Sequence, residues 1–524
     1  MAQLAGGKKW AAGGYFRTKL SHSGGNQNCG TKQCFCGAVC RWGWGVGYRG
    51  GGVIAGLKEI CAVGFLVLGA VGCYQIGKVL LFPVQHFSLC GLLSASTMIS
   101  YFLAGGISLW LSSTDALLVE NIAGELDLLS ALVATLYIIA YCGILSYLGA
   151  WERPGWRHII WRAQNEPLNR RLALYVISAI VVAKLYIMYT GGWGYGGYQV
   201  DQADESGALP PFVALVAFFG TPALGMIGWV IGRNQLRPTL TTVILLGMIG
   251  LELLWSIGLG RRFIVFQLVV LMTMYFLGQG PQKALGQIIK GGIIALIVVA
   301  PLWLMYYSMR VVYQSAEPDD RETTVVSHLR SAMEETSAQS GALIDDMASN
   351  VSTRLYIMGY FASLVARADQ SDPALGLGVI GDVIEAIPGV MFHGKQAFHQ
   401  RYGRVEDLVN PRFNLEARDE ANSLVTASFG DFLWAGCLIY PILIFGVARL
   451  VIFMVAQMRN PLLLAYCLSY MIITFVLVEA ALTDYLLPLR VLAVVLVLAW
   501  MTDRRLAQQA QCDQPAANAV PNRP

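Results

Sequence analysis

The chain has 524 residues, 56% of them hydrophobic and 13% charged, with a mean hydropathy of +0.54. Soluble domains carry about 25% charged residues, so these figures exclude an ordinary soluble globular protein and point to a polytopic membrane protein. The formal net charge of +4 says little, because a membrane protein distributes its charge by side; no nucleic-acid partner is expected.

Residues 1–58 are rich in glycine and cysteine. Cys29, Cys34, Cys36 and Cys40 lie in "NCGTKQCFCGAVC", with spacing C-x4-C-x-C-x3-C. Zinc sites usually pair their ligands as C-x2-4-C. Without a second knuckle, this segment reads as disordered, and neither a metal nor a cofactor is expected. The first apolar run begins near Cys61, too deep for a cleavable signal peptide.

A membrane span needs about 20 mainly apolar residues. Runs of that kind lie near 60–82, 86–110, 126–148, 172–190, 211–232, 239–259, 263–278, 288–308, 432–456, 461–482 and 485–501. The expected fold is therefore all-α, a polytopic membrane bundle of about 10–11 transmembrane helices. Residues 59–308 form its first part and 432–502 its last, with 503–524 a disordered cytoplasmic tail. Between them, 309–431 is one large extracytoplasmic helical loop, and loops of that length are usually functional or structured. Within it, "RLYIMGYFASLVAR" places Leu355, Met358, Phe361 and Val365 near one face of a helix.

Short loops rich in Lys and Arg stay cytoplasmic. The loop "WERPGWRHIIWRAQNEPLNRR" holds five arginines and spaced tryptophans, so it is expected to lie on that side as an interfacial segment. The turns "RNQLRP", "GQGPQKALGQ" and "AQMRN" and the tail "DRR" alternate onto the same side, and the carboxyl terminus is cytoplasmic. Only the basic stretch 1–58 resists this frame, because it lands outside if 60–82 spans.

The same alternation gathers ionisable residues toward the outer surface. Lys184 and Glu252 fall in the outer halves of their spans, Glu479, Asp484 and Arg490 flank the last outer turn, and Arg261, Arg262 and Arg310 lie at outer helix ends. Intramembrane charges usually face a bundle interior or a wet cavity, so an outward-facing cationic cavity is expected, with Glu252 orienting one arginine of the 261–262 pair. Arginine forks match phosphate oxygens bidentately, and several arginines stabilise a departing diphosphate without a metal. The loop has no DxD motif, and His393 and His399 read as surface residues.

Three stretches carry a resemblance: "GRRF" opening a span, "AIPGVMFHGKQAF" ending near Lys395, and "NSLVTASFGDFLWAG" leading into the next span. They resemble the corresponding segments of the Wzy-type O-antigen and exopolysaccharide repeat-unit polymerases of bacteria, from about residue 86 onward. Gly430 and Asp431 take the Gly-acid place and Gly436 the closing glycine. Gly389 stands where arginine is common, Gln396 where proline is common, and Asp431 where the family has the longer Glu.

The resemblance implies a multi-pass protein of the bacterial inner membrane that catalyses an inverting, metal-independent glycosyl transfer. The glycan leaves its undecaprenyl diphosphate carrier and joins an incoming lipid-linked repeat unit; a flippase and a chain-length regulator are the protein partners this implies. Arg261, Arg262, Arg310, Arg354, Lys395, Arg401 and Arg490 would hold diphosphate or glycan. Asp431, Asp419 and Glu416 are the candidate carboxylates for the acceptor hydroxyl, and the sequence does not choose among them. An O-antigen-ligase-like transferase is the nearest alternative, although no histidine lies close to Asp431. A transporter of an anionic solute or lipid-linked glycan is another; it would favour midplane charges and an internal repeat. A scaffold of a secretion complex is a third.

Overall fold

A computed structural model of the chain describes residues 51–111, 128–189, 216, 220–233, 240–259, 261–279, 357–387, 408–415 and 423–512. All regular structure among these residues is helical. In chain order the helices are α1 (Gly51–Leu81), α2 (Pro83–His86), α3 (Leu89–Met98) and, after a π turn at Ile99–Leu103, α4 (Ala104–Leu111). There follow α5 (Leu128–Asn165), α6 (Arg170–Tyr189), α7 (Ala223–Arg233), α8 (Leu240–Leu259) and α9 (Arg261–Gln279). The last group is α10 (Ile357–Ala366), α11 (Leu377–Ala386), α12 (Leu424–Phe432), α13 (Gly436–Ala456), α14 (Pro461–Val476) and α15 (Leu482–Cys512).

Five helical stretches among the described residues are long and apolar enough to cross a membrane: Ile60–Leu81, Leu89–Ile107, Leu129–Asn165, Leu424–Ala456 and Leu482–Met501. Their outward faces are apolar. Val63, Val67, Val71 and Tyr74 form an exposed stripe on α1, and Leu129, Leu132, Leu136 and Ile139 form another on α5. Water-soluble monomers rarely expose apolar patches of that extent, whereas a lipid-facing helix requires them. Exposed tryptophans mark two levels. Trp434 packs beside Tyr137, while Trp151 on α5 is exposed 14 residues further along that helix, about 21 Å at 1.5 Å per residue. Tryptophan favours both membrane interfaces.

The helix ends sort into two groups. Arg162 donates to the carbonyls of Ala456 (3.0 Å) and Met458 (2.5 Å). Arg233 donates to those of Ala163 (3.1 Å) and Glu166 (2.7 Å), and Gln164 to that of Leu277 (2.6 Å). So α5, α7, α9 and α13 all finish at one end of the bundle. Each donor satisfies last-turn carbonyls that a helix cannot pair by itself, and the arginines also complement the negative dipole end. It follows that α9 begins, with Arg261, at the opposite end, where α12 and the start of α15 also lie. This is the partition that alternating spans predict for Arg162 and Arg233 against Arg261 and Arg490.

The basic loop after residue 148 is not a loop. α5 runs on through Pro154 to Asn165. Glu152, Trp156, Ile159, Ile160 and Ala163 are all buried, a helical i, i+4, i+7, i+11 face that outweighs the hydrogen bond lost at proline. Glu152 accepts from the backbone N–H groups of Leu89 (2.9 Å) and Cys90 (3.3 Å) and from the Trp156 indole (3.3 Å). An acid of one helix thereby caps the amino terminus of another.

A second departure concerns α10. As part of an external loop it was expected to bury one face, yet Ile357 through Val365 are all buried. Phe361 meets Tyr101, Tyr137 and Phe429, so α10 is an interior helix. Tyr101 also hydrogen-bonds Ser423 (2.6 Å), where Ser423 and Thr426 form a reciprocal capping box.

α7 and α9 run parallel along a glycine seam. A Cβ on Gly228 would sit 2.5 Å from the Leu271 carbonyl oxygen, and one on Gly232 2.3 Å from that of Tyr275. Small residues at this spacing let membrane helices approach closely. Gly228→Ala is therefore expected to lower stability by about 1–3 kcal/mol, the usual range for overpacking, because the obstructing atom is backbone. Thermal unfolding of the purified protein in detergent checks this; an unchanged midpoint would show that the two helices separate freely.

Candidate functional site

Two buried carboxylates, Asp431 and Asp382, and Arg490 meet at α11. The chain approaches it with Leu375 and Gly376 in left-handed backbone, φ 50° and 87°, a conformation cheap only for glycine. This approach is pinned to α12: Ala374 N–H donates to the Gly430 carbonyl (3.0 Å) and Leu375 N–H to that of Asp431 (2.8 Å). The Asp431 carboxylate then accepts from the N–H groups of Gly378 (3.0 Å) and Val379 (3.1 Å) in the first turn of α11. Its third donor is the Tyr440 hydroxyl on α13, at 2.7 Å. Asp431 is 1% exposed. Gly378 is required for this approach, since a Cβ there would lie 2.7 Å from a carboxylate oxygen of Asp431.

One turn further along the same face of α11 is Asp382, 6% exposed. Its Oδ1 accepts from the Thr483 hydroxyl of α15 at 2.5 Å. Its Oδ2 is buried with no hydrogen-bond partner among the described residues. Burial is the main influence on this carboxyl and pushes it up to about 6; the Thr483 hydrogen bonds oppose the shift, and the charges of Asp431 and Glu385 add to it. At the far end of α11, Arg490 of α15 donates through Nε to the Ala386 carbonyl and through Nη2 to that of Glu385 at 2.7 Å. The helix is thus held at its start by an acid, at its middle by an acid–hydroxyl pair and at its finish by a base.

Of the candidate catalytic and substrate-binding residues named from the sequence, Asp431 and Arg490 are brought to this junction. Both bind α11 itself: Asp431 as its amino-terminal cap, Arg490 as its carboxyl-terminal cap. Arg261 and Arg262 open α9 at the same end of the bundle, and for them only the helix backbone is described. Asp419, Glu416, Arg310, Arg354, Lys395 and Arg401 lie outside the described residues, as do Cys29, Cys34, Cys36, Cys40, His393 and His399. Among the described residues no group of His, Cys, Asp and Glu has metal-ligand geometry. The described part of the junction is acidic: the charges of Asp431 and Glu385 act on Asp382, that of Glu385 acts on Asp484, and Arg490 donates to the Glu385 carbonyl.

Glu252 takes a different partner from the one expected. Its Oε2 accepts from Lys184 Nζ at 2.5 Å, with both residues 3% exposed. Lys184 also donates to the Gly220 carbonyl (3.0 Å) and lies 5.8 Å from the centre of the Trp255 ring. This pair joins α6 to α8 at the turn that starts α7.

Asp382, Thr483 and Tyr440 were not singled out by sequence. One signal was present for the first: in "LGVIGDVIEA", Asp382 lies four positions after Gly378, so it shares a helix face with the small residue that lets Asp431 approach. No family model matches the chain, and neither a curated protein nor a solved structure matches it.

The raised Asp382 carboxyl has a stability consequence. Its folded-state value, about 6, lies above the ordinary 3.8, so ionised Asp382 burdens the folded state, and the burden is relieved as pH falls through about 6. Relative to Asp382→Asn, wild-type protein should gain unfolding temperature between pH 7.5 and pH 4.5. Parallel pH profiles for the two proteins would show instead that Asp382 does not titrate in this range.

Proposed function

We propose that the chain is an integral membrane glycosyltransferase that polymerises undecaprenyl-diphosphate-linked oligosaccharide repeat units into O-antigen or exopolysaccharide. In this reading it works at the extracytoplasmic face of a bacterial inner membrane, as a bundle of about 10–11 spans with a large external loop over 309–431. One observation carries the reading: an apolar bundle collects buried carboxylates, Asp382 and Asp431, at the end where α9 opens with Arg261 and Arg262. The resemblance of "GRRF", "AIPGVMFHGKQAF" and "NSLVTASFGDFLWAG" to polymerase segments adds to it.

The chemistry is a single displacement. An acceptor hydroxyl oxygen attacks the anomeric carbon of the donor, the bond from that carbon to the diphosphate oxygen breaks, and the electron pair leaves with the diphosphate. Arg261, Arg262 and the loop cations Arg310, Arg354, Lys395 and Arg401 meet the growing negative charge, and a carboxylate takes the hydroxyl proton.

The test is reconstitution. Full-length protein in liposomes is supplied with lipid-diphosphate-linked oligosaccharide extracted from producing cells. A ladder of polymer should form, persist in the presence of a metal chelator, and fall about 10–150-fold for lysine or alanine at the critical arginine of the 261–262 pair, the loss expected for one charge-assisted hydrogen bond. No ladder from wild-type protein would end the reading, and wild-type ladders from both single alanine variants would leave the pair as an interfacial anchor. The Lys184–Glu252 pair, buried within the bundle, favours a second reading, transport of an anionic solute or lipid-linked glycan. Flux of labelled substrate without polymer would select it.

A further inference from the structure

Two carboxylates face the same side of α11, and their hydrogen-bonding states differ. Asp431 has both oxygens engaged: Oδ1 accepts from Gly378 N–H, and Oδ2 from Val379 N–H and the Tyr440 hydroxyl. Its three donors are two backbone amides that start α11 and a buried phenol, so Asp431 is engaged as the cap of a helix.

Asp382 has the complementary arrangement. Oδ1 is fixed by Thr483, which sets the plane of the carboxyl group. Oδ2 is buried and without a partner among the described residues. Buried polar atoms are nearly always paired, so an unmatched carboxylate oxygen marks a position for a donor: a ligand hydroxyl when one is present, or a proton. The groups that act on it are Asp431 of α12, Glu385 of its own helix and Tyr440 of α13, while Asp484 and Arg490 of α15 lie against Glu385. Of these only Arg490 is cationic, and its Nε and Nη2 are turned to the carbonyls that end α11. No described base therefore forms an ion pair with Asp382.

Resting on the glycosyl-transfer reading, we propose that Asp382, rather than Asp431, is the carboxylate that accepts the proton of the acceptor hydroxyl, with Asp431 and Thr483 as its positioning residues. In the step, the acceptor O–H donates to Oδ2, its oxygen bonds to the anomeric carbon, and its proton passes to Asp382 as the bond to the diphosphate breaks. The proton is released to solvent before the next turnover. The burial that raises the carboxyl to about 6 brings its basicity toward neutral pH, where a general base is most effective.

The reconstituted ladder assay tests this with Asp382→Asn, Asp382→Glu and Thr483→Val beside wild type, each first matched for insertion and unfolding temperature. Asp382→Asn is expected to slow polymer formation by about 10²–10⁴-fold, the usual contribution of a general base. Asp382→Glu should recover part of the rate. Wild-type kcat should fall on an acidic limb near pH 6, and Thr483→Val should shift that limb toward higher pH while lowering kcat more than it changes KM. If wild type forms polymer and Asp382→Asn matches its rate and pH profile, Asp382 is structural and the proposal is overturned while the glycosyl-transfer reading stands. If wild-type protein forms no polymer, both fall together.

Discussion

Asp431→Ala is expected to destabilise the protein by several kcal/mol, at about 1–3 kcal/mol for each buried donor left without its acceptor. The substitution orphans the N–H groups of Gly378 and Val379 and the Tyr440 hydroxyl at one stroke. No water reaches them readily, because Asp431 is itself 1% exposed. The amino terminus of α11 would lose its cap, and the left-handed approach at Leu375 and Gly376 would lose the framework that holds it. Asp431→Asn should recover only part of the loss, since its amide nitrogen brings a donor to face donors. Tyr440→Phe removes one hydrogen bond and should cost about 1 kcal/mol. The check is chemical or thermal unfolding in detergent for all three variants. Equal midpoints for wild type and Asp431→Ala would mean that the cap is not a structural element.

The Lys184–Glu252 pair supports the second large expectation. Removing either partner strands the other as a buried charge, so Lys184→Met or Glu252→Leu alone should each cost about 3–5 kcal/mol. The double variant should recover most of that loss, because similarly sized apolar residues replace a buried ion pair at little net cost. Glu252 carries an additional burden, since its Oε1 has no hydrogen-bond partner among the described residues. A double-mutant cycle on unfolding free energy measures the coupling. If the two single losses simply add in the double variant, the residues do not act as a pair, and Glu252 must have its effect through another group.

These expectations share one physical rule. Apolar surroundings leave backbone groups at helix ends unmatched, and here charged side chains of neighbouring helices match them. Glu152 caps the start of α3, Asp431 the start of α11, Arg162 the finish of α13, Arg233 the finish of α5, and Arg490 the finish of α11. Each places a negative charge at a positive dipole end or the reverse. Of these five, Asp431 and Arg490 are also candidate substrate-handling groups in the sequence, and in the structure both fasten α11.

Composition and hydropathy by themselves determined that the described chain is helical and carries long apolar helices. A span is a local property: about 20 apolar residues must satisfy their own backbone in helix, whatever surrounds them. Alternation of charge also sorted Arg261 and Asp431 from Arg162 and Arg233, because the side a loop occupies follows from counting. What only tertiary structure decided was the partner of each charge. Glu252 lies nine positions before Arg261 yet pairs with Lys184, 68 residues away. Asp431 reaches back 53 residues to Gly378, and Asp382 forward 101 to Thr483. The arginine-rich stretch expected as a loop is helix because the buried face from Glu152 to Ala163 continues α5, and α10 presented one apolar stripe but is buried from Ile357 to Val365. Pairing, capping and burial depend on which helices meet, and that is set by packing over separations at which local sequence carries no signal.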